Sequence, residues 1–403
     1  MSISLPNFKQ EVRTEYQNII NYWLKYSFDP KTEGFYGEVD GQNKPKLKAD
    51  KGIVLNSRIL WTFSNAYIDE KKPEYLKTAK RAFDYIKKYF VDKTYGGVYW
   101  SVTEKGQPAE TRKLMYGHSF AVYGLSEYYR ASGQKPALLL AQEVFNTIIK
   151  QGYDAKNGGY IEALGQNWST IDDYILAKGN ARKSMNTHLH LMECFANLYR
   201  VDKSETVRFH LQHSIEIVLN KIIGKDNVRQ TLFFTDDWQP LSRAISYGHD
   251  IEASWLLQES AEILGDEKLI KETKAKCIEM AKAAIEGLQA DGGMIYEFDP
   301  ENGNSHSSRD WWVMAEAMVG FYNAYQNTGK INYLEKAENS WTFIKKYLID
   351  HENGEWYTGV TPDHKITATE KITMWKCPYH NARACLEIYR RISPHAPNGG
   401  VRH

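Results

Sequence analysis

Three histidines of this 403-residue chain stand 131 residues apart: His118, His249 and His380. Each closes a short aromatic tripeptide: Tyr116-Gly117-His118, Tyr247-Gly248-His249 and Pro378-Tyr379-His380. Arg58, His188 and the pair Trp311–Trp312 fall near the equivalent point between them. An imidazole titrates close to neutral pH and can both take and give a proton. Two imidazoles on opposite sides of a substrate carbon could remove a proton from one face and return it to the other. That inverts the centre, provided an adjacent carbonyl acidifies the C–H. The oxyanion so formed needs donors, and Arg58 and His188 are suitable candidates.

Neighbouring residues add to the pattern. His249 and Glu252 are three apart and share a helix face, so the carboxylate is expected to hold one imidazole tautomer. Trp312 and Glu316 are four apart on another face. Trp312, and Trp375 just ahead of Cys377-Pro378-Tyr379-His380, could each stack on the C–H face of a sugar as well as fill space. His190, His210 and His213 are expected to be structural, because a lone histidine near a helix start is usually a capping or hydrogen-bonded residue. A metal held by His188, His249 and His380 is conceivable but not expected, since no HExxH-type motif is present. No cofactor is expected either: there is no GxGxxG after a strand and no GxxxxGK[ST].

These residues need elements that bring them together, and the chain repeats itself. A glycine-aromatic signature recurs at Gly34, Gly97, Gly159, Gly293 and Gly354, and a glycine-free version lies near Leu232. The intervals are 63, 62, 73, 61 and 61 residues. Each signature reads as a tight turn with glycine at positive φ, followed by a short hairpin. Two kinds of helix lie between. One is amphipathic and lysine-rich, as in residues 73–90. The other is rich in small and aromatic residues, as in the stretches beginning near Val54, Leu114, Met185, Tyr247, Asp310 and Cys377, and is expected to be buried on most sides. Two helices in each of six units predict an all-α, (α/α)6 barrel of twelve helices in two concentric rings, with short hairpins between repeats. The barrel is expected over residues 1–392, with a Pro/Gly-rich flexible tail at 393–403. An open solenoid is the runner-up. In a closed ring, six inner-helix starts converge on one cavity lined by His, Arg and Trp.

Bulk properties exclude other classes. The chain is 42% apolar and 25% charged with a formal net charge of +1, which fits a large core and offers no basic surface for nucleic acid or an anionic membrane. No apolar run is long enough to span a bilayer, and the first residues lack a secretory pattern, so a cytoplasmic location is expected. The four cysteines, Cys194, Cys277, Cys377 and Cys385, are scattered and read as reduced and mostly core.

The blocks Lys183–Arg200, Ser246–Leu257, Asp310–Phe321 and Trp375–Glu387 resemble the N-acylglucosamine 2-epimerase superfamily, and within it the cellobiose 2-epimerase group. The resemblance runs along essentially the whole chain. It implies an (α/α)6 barrel and cofactor-independent epimerisation at C2 of the reducing-end sugar of a β-1,4-linked disaccharide. It also implies His249 and His380 as acid/base residues, Glu252 as the carboxylate orienting His249, and Arg58 and His188 around the substrate oxygens, with His188 assisting ring opening. Trp312 and Trp375 correspond to sugar-stacking positions. Trp311, Glu316, Tyr116 and Asn186 correspond to supporting or binding positions; His118 receives no role. The implied path is ring opening, removal of the C2 proton to give a cis-enediolate, and reprotonation on the other face. The alternatives are an aldose–ketose isomerase or N-acylhexosamine 2-epimerase, then a glycoside hydrolase or a non-catalytic sugar-binding toroid.

Overall fold

The computed structural model describes residues 4–172, 174–177, 181–224 and 227–392, without the Asn304 side chain. The tail expected at 393–403 lies outside the described residues. Among the described residues twelve α-helices follow one another: α1 Leu5–Tyr26, α2 Ile53–Glu70, α3 Pro73–Tyr85, α4 Met115–Ser132, α5 Lys135–Thr147 and α6 Met185–Tyr199. Then come α7 Glu205–Ile217, α8 Tyr247–Leu264, α9 Glu267–Ala284, α10 Trp311–Thr328, α11 Ile331–Phe343 and α12 Tyr379–Arg391. Each even-numbered helix packs on the next even one, and α12 packs on α2, so the inner ring closes. The odd helices wrap it, α1 against α12 and α3, α5, α7, α9 and α11 against the helices before them. This is the (α/α)6 barrel, and closure rules out the open solenoid. The division of labour follows composition. Nearly every residue of α2 from Ile53 to Ala66 is buried, whereas α3 buries one stripe, including Tyr75, Ala79, Ala82 and Phe83, and leaves its lysines outside.

A thin layer of strands organises one end. The two residues before an inner helix pair antiparallel with the strand after the next outer helix: Lys51–Gly52 with Ser101–Val102, Lys113–Leu114 with Ala163–Leu164, and Lys183–Ser184 with Phe233–Phe234. Ile245–Ser246 and Arg309–Asp310 pair likewise with Glu297–Asp299 and Gly359–Val360, and a bridge from Val39 to Ile372 closes the circle.

Ion pairs staple this layer. In five repeats a cation near the start of the inner helix meets an aspartate in the turn after the preceding outer helix. The pairs are Lys51–Asp29 at 2.8 Å, Lys113–Asp92 at 2.7 Å, Lys183–Asp154 at 2.8 Å, Arg309–Asp291 at 3.2 Å and Lys371–Asp350 at 2.8 Å. Lys113 and Asp92 are fully buried, so each needs the other.

The signature glycines divide. Gly97, Gly159 and Gly354 take positive φ as expected, but at Gly34 and Gly293 the left-handed residue is the one before, Glu33 and Gly292.

Candidate active site

At the hairpin end, one position on the inner helices is structural. His118 accepts the Val98 backbone N–H on Nε2 at 3.1 Å and shares Nδ1 with the Leu114 carbonyl at 2.7 Å. His188 does the same with the Tyr160 N–H at 2.9 Å and the Ser184 carbonyl at 2.7 Å. On α8, Asp250 accepts the Gln230 N–H at 2.9 Å; on α10, the Met314 sulfur faces the Met294 N–H at 3.1 Å. An acceptor is required at these four positions because the hairpin there buries one backbone donor against the helix. Lys51, Lys113, Lys183, Ile245 and Arg309 each lie five residues ahead of this position, which makes Asn56 its counterpart on α2. On α12 the residue meeting the hairpin is Asn381, which donates to Glu355.

The expectation for His188 is therefore corrected. Both of its ring nitrogens are engaged by backbone, so it cannot move a proton to a substrate while these bonds hold, nor join His249 and His380 around a metal. Burial pushes its pKa down to about 4, as for His118.

Two residues further along each inner helix lies a different set: Arg58, Phe120, His190, Glu252, Glu316 and Arg383. These converge on the barrel axis. Arg58 lies over the Phe120 ring at 4.2 Å, and Phe120 is 4.8 Å from the His190 ring. Arg383 donates to Glu316 at 2.6 Å, to Glu252 at 3.3 Å, and to Glu193 and Tyr379. His190, expected to be structural, pairs with Glu193 at 2.9 Å and stands edge-on to Tyr116 at 5.2 Å. Arg383, Glu193 and Trp255 also line a cavity of about 370 Å³ that opens toward the C-terminal ends of the inner helices. They form a floor between the two mouths of the barrel.

His249 and His380 share a third position, one residue before Asp250 and Asn381. Both imidazoles lie against one indole: His249 is 4.8 Å and His380 5.8 Å from the Trp312 ring. Gly248 makes room for that indole, since a Cβ there would come within 2.7 Å of it. Trp375, more than a third exposed, packs on Trp100 at 5.7 Å and Tyr116 at 5.9 Å at the rim. Trp311 is buried with the Lys376 ammonium 5.6 Å from its ring. Asn186 occupies the position on α6 that Tyr116 occupies on α4 and Trp312 on α10, two before the anchor. Among the described residues, the Asn186 side-chain carbonyl, the Trp311 indole N–H and the Arg58 Nε–H are buried without a partner.

The carboxylates do not hold the imidazoles as expected. The partner of His249 Nδ1 is the Ser246 hydroxyl at 2.7 Å, not Glu252. Helical side chains lean toward the N-terminus, so a histidine covers the turn before it; Ser246, the cap of α8, lies there and Glu252 does not. Glu316, expected to bind substrate, accepts His380 Nδ1 at 2.7 Å, Arg383 at 2.6 Å and the Trp255 N–H at 2.9 Å. Its two oxygens are taken up within the protein.

Burial dominates the electrostatics. It lowers His249 to about 3, with His190 adding to the effect, and lowers His380 well below the usual range, with Arg58 and Arg383 adding. Both rings are neutral near pH 7 and fit to accept a proton. Burial raises the Glu252 carboxyl well above its ordinary value, and Glu316 beside it adds to the rise. Burial also works to raise Glu193, but Arg383 and His190 override it and hold Glu193 down to about 2. Atoms of Glu252, Glu316 and His380 lie within 4.8 Å of one another, a span a metal could bridge, but Arg383 already supplies the positive charge there. Among the described residues no carboxylate reaches ion-pair distance of Arg58; its contacts are the Tyr116 hydroxyl at 3.1 Å, the Cys377 sulfur at 3.8 Å and two aromatic faces. A buried guanidinium lacking an anion is suited to developing negative charge on a ligand.

Comparison with known proteins agrees with this architecture. The chain is 44% identical over 384 residues to the cellobiose 2-epimerase of Bacteroides fragilis, covering 94% of this chain and 98% of that one. It is 40% identical over 386 residues to the cellobiose 2-epimerase of Ruminococcus albus, covering 94% and 98%. The structure of cellobiose 2-epimerase from Spirochaeta thermophila superposes with a TM-score of 0.90 at 39% identity, over 96% of this chain and 97% of that one. The N-acylglucosamine 2-epimerase family model matches residues 34–384. The chain belongs to the N-acylglucosamine 2-epimerase family.

Proposed function

We propose that this protein is an isomerase that interconverts epimers at C2 of the reducing-end sugar of a β-1,4-linked disaccharide, with cellobiose as substrate, using its own side chains. The observation that carries the reading is the placement of His249 and His380 at the same helical position on α8 and α12, against one tryptophan. The sugar lies on Trp312 and under Trp375, whose flat faces suit its C–H groups. His190, paired with Glu193, takes the ring-opening role first expected of His188. With the chain open, one imidazole removes the C2 proton and the other delivers a proton to the opposite face. Arg58 and the Tyr116 hydroxyl stabilise the enediolate oxygen. Glu316 and Ser246 orient the two bases, and Glu252, bonded to Arg383, helps set the floor. A cytoplasmic location belongs to the same reading and is supported by four buried free thiols.

The deciding experiment is turnover of cellobiose in deuterated water. Glucosyl-mannose carrying deuterium at C2 is expected, with His249→Ala and His380→Ala each reducing the rate at least about 10²-fold. Product formed without solvent deuterium, or full turnover by either variant, would refute the two-base reading. Side-by-side rates on mannobiose, mannose and N-acetylmannosamine separate it from the isomerase and hexosamine alternatives. A glycoside hydrolase needs two available carboxyl groups, and Arg383 occupies both Glu252 and Glu316.

A further inference from the structure

The sixth repeat breaks the backbone rule of the hairpins beside a proposed base. In the second repeat the turn from Asp92 closes with the Gly96 N–H on the Asp92 carbonyl and the Asp92 N–H on the Gly97 carbonyl. Asp154, Gly158 and Gly159 repeat these bonds in the third. Asp350, Gly354 and Glu355 repeat them in the sixth, so Glu355 stands where the other turns have Gly97 and Gly159. It keeps the left-handed backbone, φ 62°, that glycine adopts freely and a glutamate does not.

The side chain that tolerates this strain is 4% exposed and fully engaged. One oxygen accepts the Lys376 ammonium at 2.6 Å and the Trp356 backbone N–H at 3.0 Å. The other accepts the Asn381 amide. The Trp356 N–H matches those of Val98 and Tyr160, which His118 and His188 accept from their helices. A Cβ at Gly97 or Gly159 would lie 2.4 or 2.7 Å from those imidazoles. In the sixth repeat no histidine fills that space. Glu355 reaches across instead and grips the segment on both sides of His380, at Lys376 and at Asn381.

We propose that Glu355 is a positioning residue for His380. By fixing the entry to α12, it sets the direction from which that imidazole meets the substrate carbon. Strain retained at a buried, charged residue next to a catalytic group is the signature of such a role. The inference rests on His380 being one of the two bases.

The test compares Glu355→Gly, which restores the residue of the second and third repeats, with Glu355→Gln/Lys376→Gln, which keeps hydrogen-bonding groups and removes the buried charges. Wild type and His380→Asn are measured beside them on cellobiose. Both Glu355 variants are expected to lower kcat by about 10- to 100-fold with KM changed less than about threefold, the effect expected when an outer partner is removed. Circular dichroism is expected to stay native for at least the double variant. A kcat within twofold of wild type in either folded variant would overturn the proposal, as would loss of the native spectrum in both. If wild type shows no epimerisation, or His380→Asn retains full rate, the functional reading itself fails, which is a distinct outcome.

Discussion

His188→Ala separates an anchor from a catalyst. The substitution leaves the buried Tyr160 N–H without its acceptor and the Ser184 carbonyl without its ring donor. An unmet buried polar group costs about 1–3 kcal/mol. The ring also packs on Trp238, centroids 5.1 Å apart, and that contact is lost. A total near 4 kcal/mol is expected. For a chain of this size the entropy of unfolding is about 0.8 kcal/mol/K, so the melting temperature should fall by about 5 °C. The rate on cellobiose should stay within about threefold of wild type, because neither nitrogen faces the substrate. His190→Ala should show the reverse, a rate loss of about 10²-fold with a smaller thermal shift. Thermal melts by circular dichroism and steady-state rates on the same preparations check both. A His188→Ala protein with an unchanged melting temperature and a rate reduced a hundredfold would refute the assignment of this position as structural.

Three more outcomes follow from the geometry. Because burial lowers His249 to about 3 and His380 well below its usual value, the acid limb of kcat/KM should fall below the ordinary histidine range; an inflection at pH 6.5 or above would contradict neutral buried bases. Stability has the same sign: below about pH 6.5 the unfolded chain takes up protons that His118 and His188, held near 4, refuse. Urea titrations should lose about 1.4 kcal/mol per pH unit for each of them between pH 6 and 4, and a flat profile would be inconsistent. Arg383→Met strands Glu193, Glu252 and Glu316 together, so a loss of at least about 3–5 kcal/mol is expected in the same titration. Lys113→Met should cost less, because the Asp92 carboxylate loses its cation but keeps the Thr94, Tyr95 and Gln166 donors, and Lys113→Met/Asp92→Asn should recover most of that loss; equal stability of the single and double variants would show that the staple contributes nothing.

The ring itself was legible in the sequence because it depends on coarse features. Alternating buried and amphipathic helices, repeated every sixty-odd residues, leave few architectures that bury every inner face. Rotational phase was not legible, and one residue of slip is enough to lose it, since a single step turns a helical side chain by about 100°. His118 and His249 are 131 residues apart, but the residue matching His118 is Asp250. His249 therefore faces Trp312 while His118 faces its hairpin. The same slip set Gly354 against Gly97 when Glu355 is the match. Lysine supplied an unused register: Lys51, Lys113 and Lys183 each precede the anchor by five residues, which would have set His188 apart from His190. Arg383 carried no such mark, because its role appears only when four inner helices meet.

The two proposed bases are held differently, and the difference bears on how one site works in both directions. A carboxylate can only accept, so Glu316 requires the proton on Nδ1 of His380 and leaves Nε2 as a lone pair. Burial pushes Glu316 upward, but three donors already aim at its two oxygens and leave little room for a proton of its own. His380 is thereby a dedicated acceptor at rest. Ser246 imposes no such choice on His249, because a hydroxyl can donate or accept as its hydrogen rotates. His249 can present either a lone pair or an N–H toward the substrate without changing charge. With one epimer His380 takes the C2 proton and His249 returns one; with the other the roles reverse, His249 presenting its lone pair and His380 first taking up a proton, and after each turnover the ring that gained a proton loses it to solvent while the ring that gave one regains it. The asymmetry follows from sequence: both histidines occupy the same helical position, but three residues ahead of His249 stands Ser246, whereas three ahead of His380 stands Cys377, whose sulfur faces Arg58.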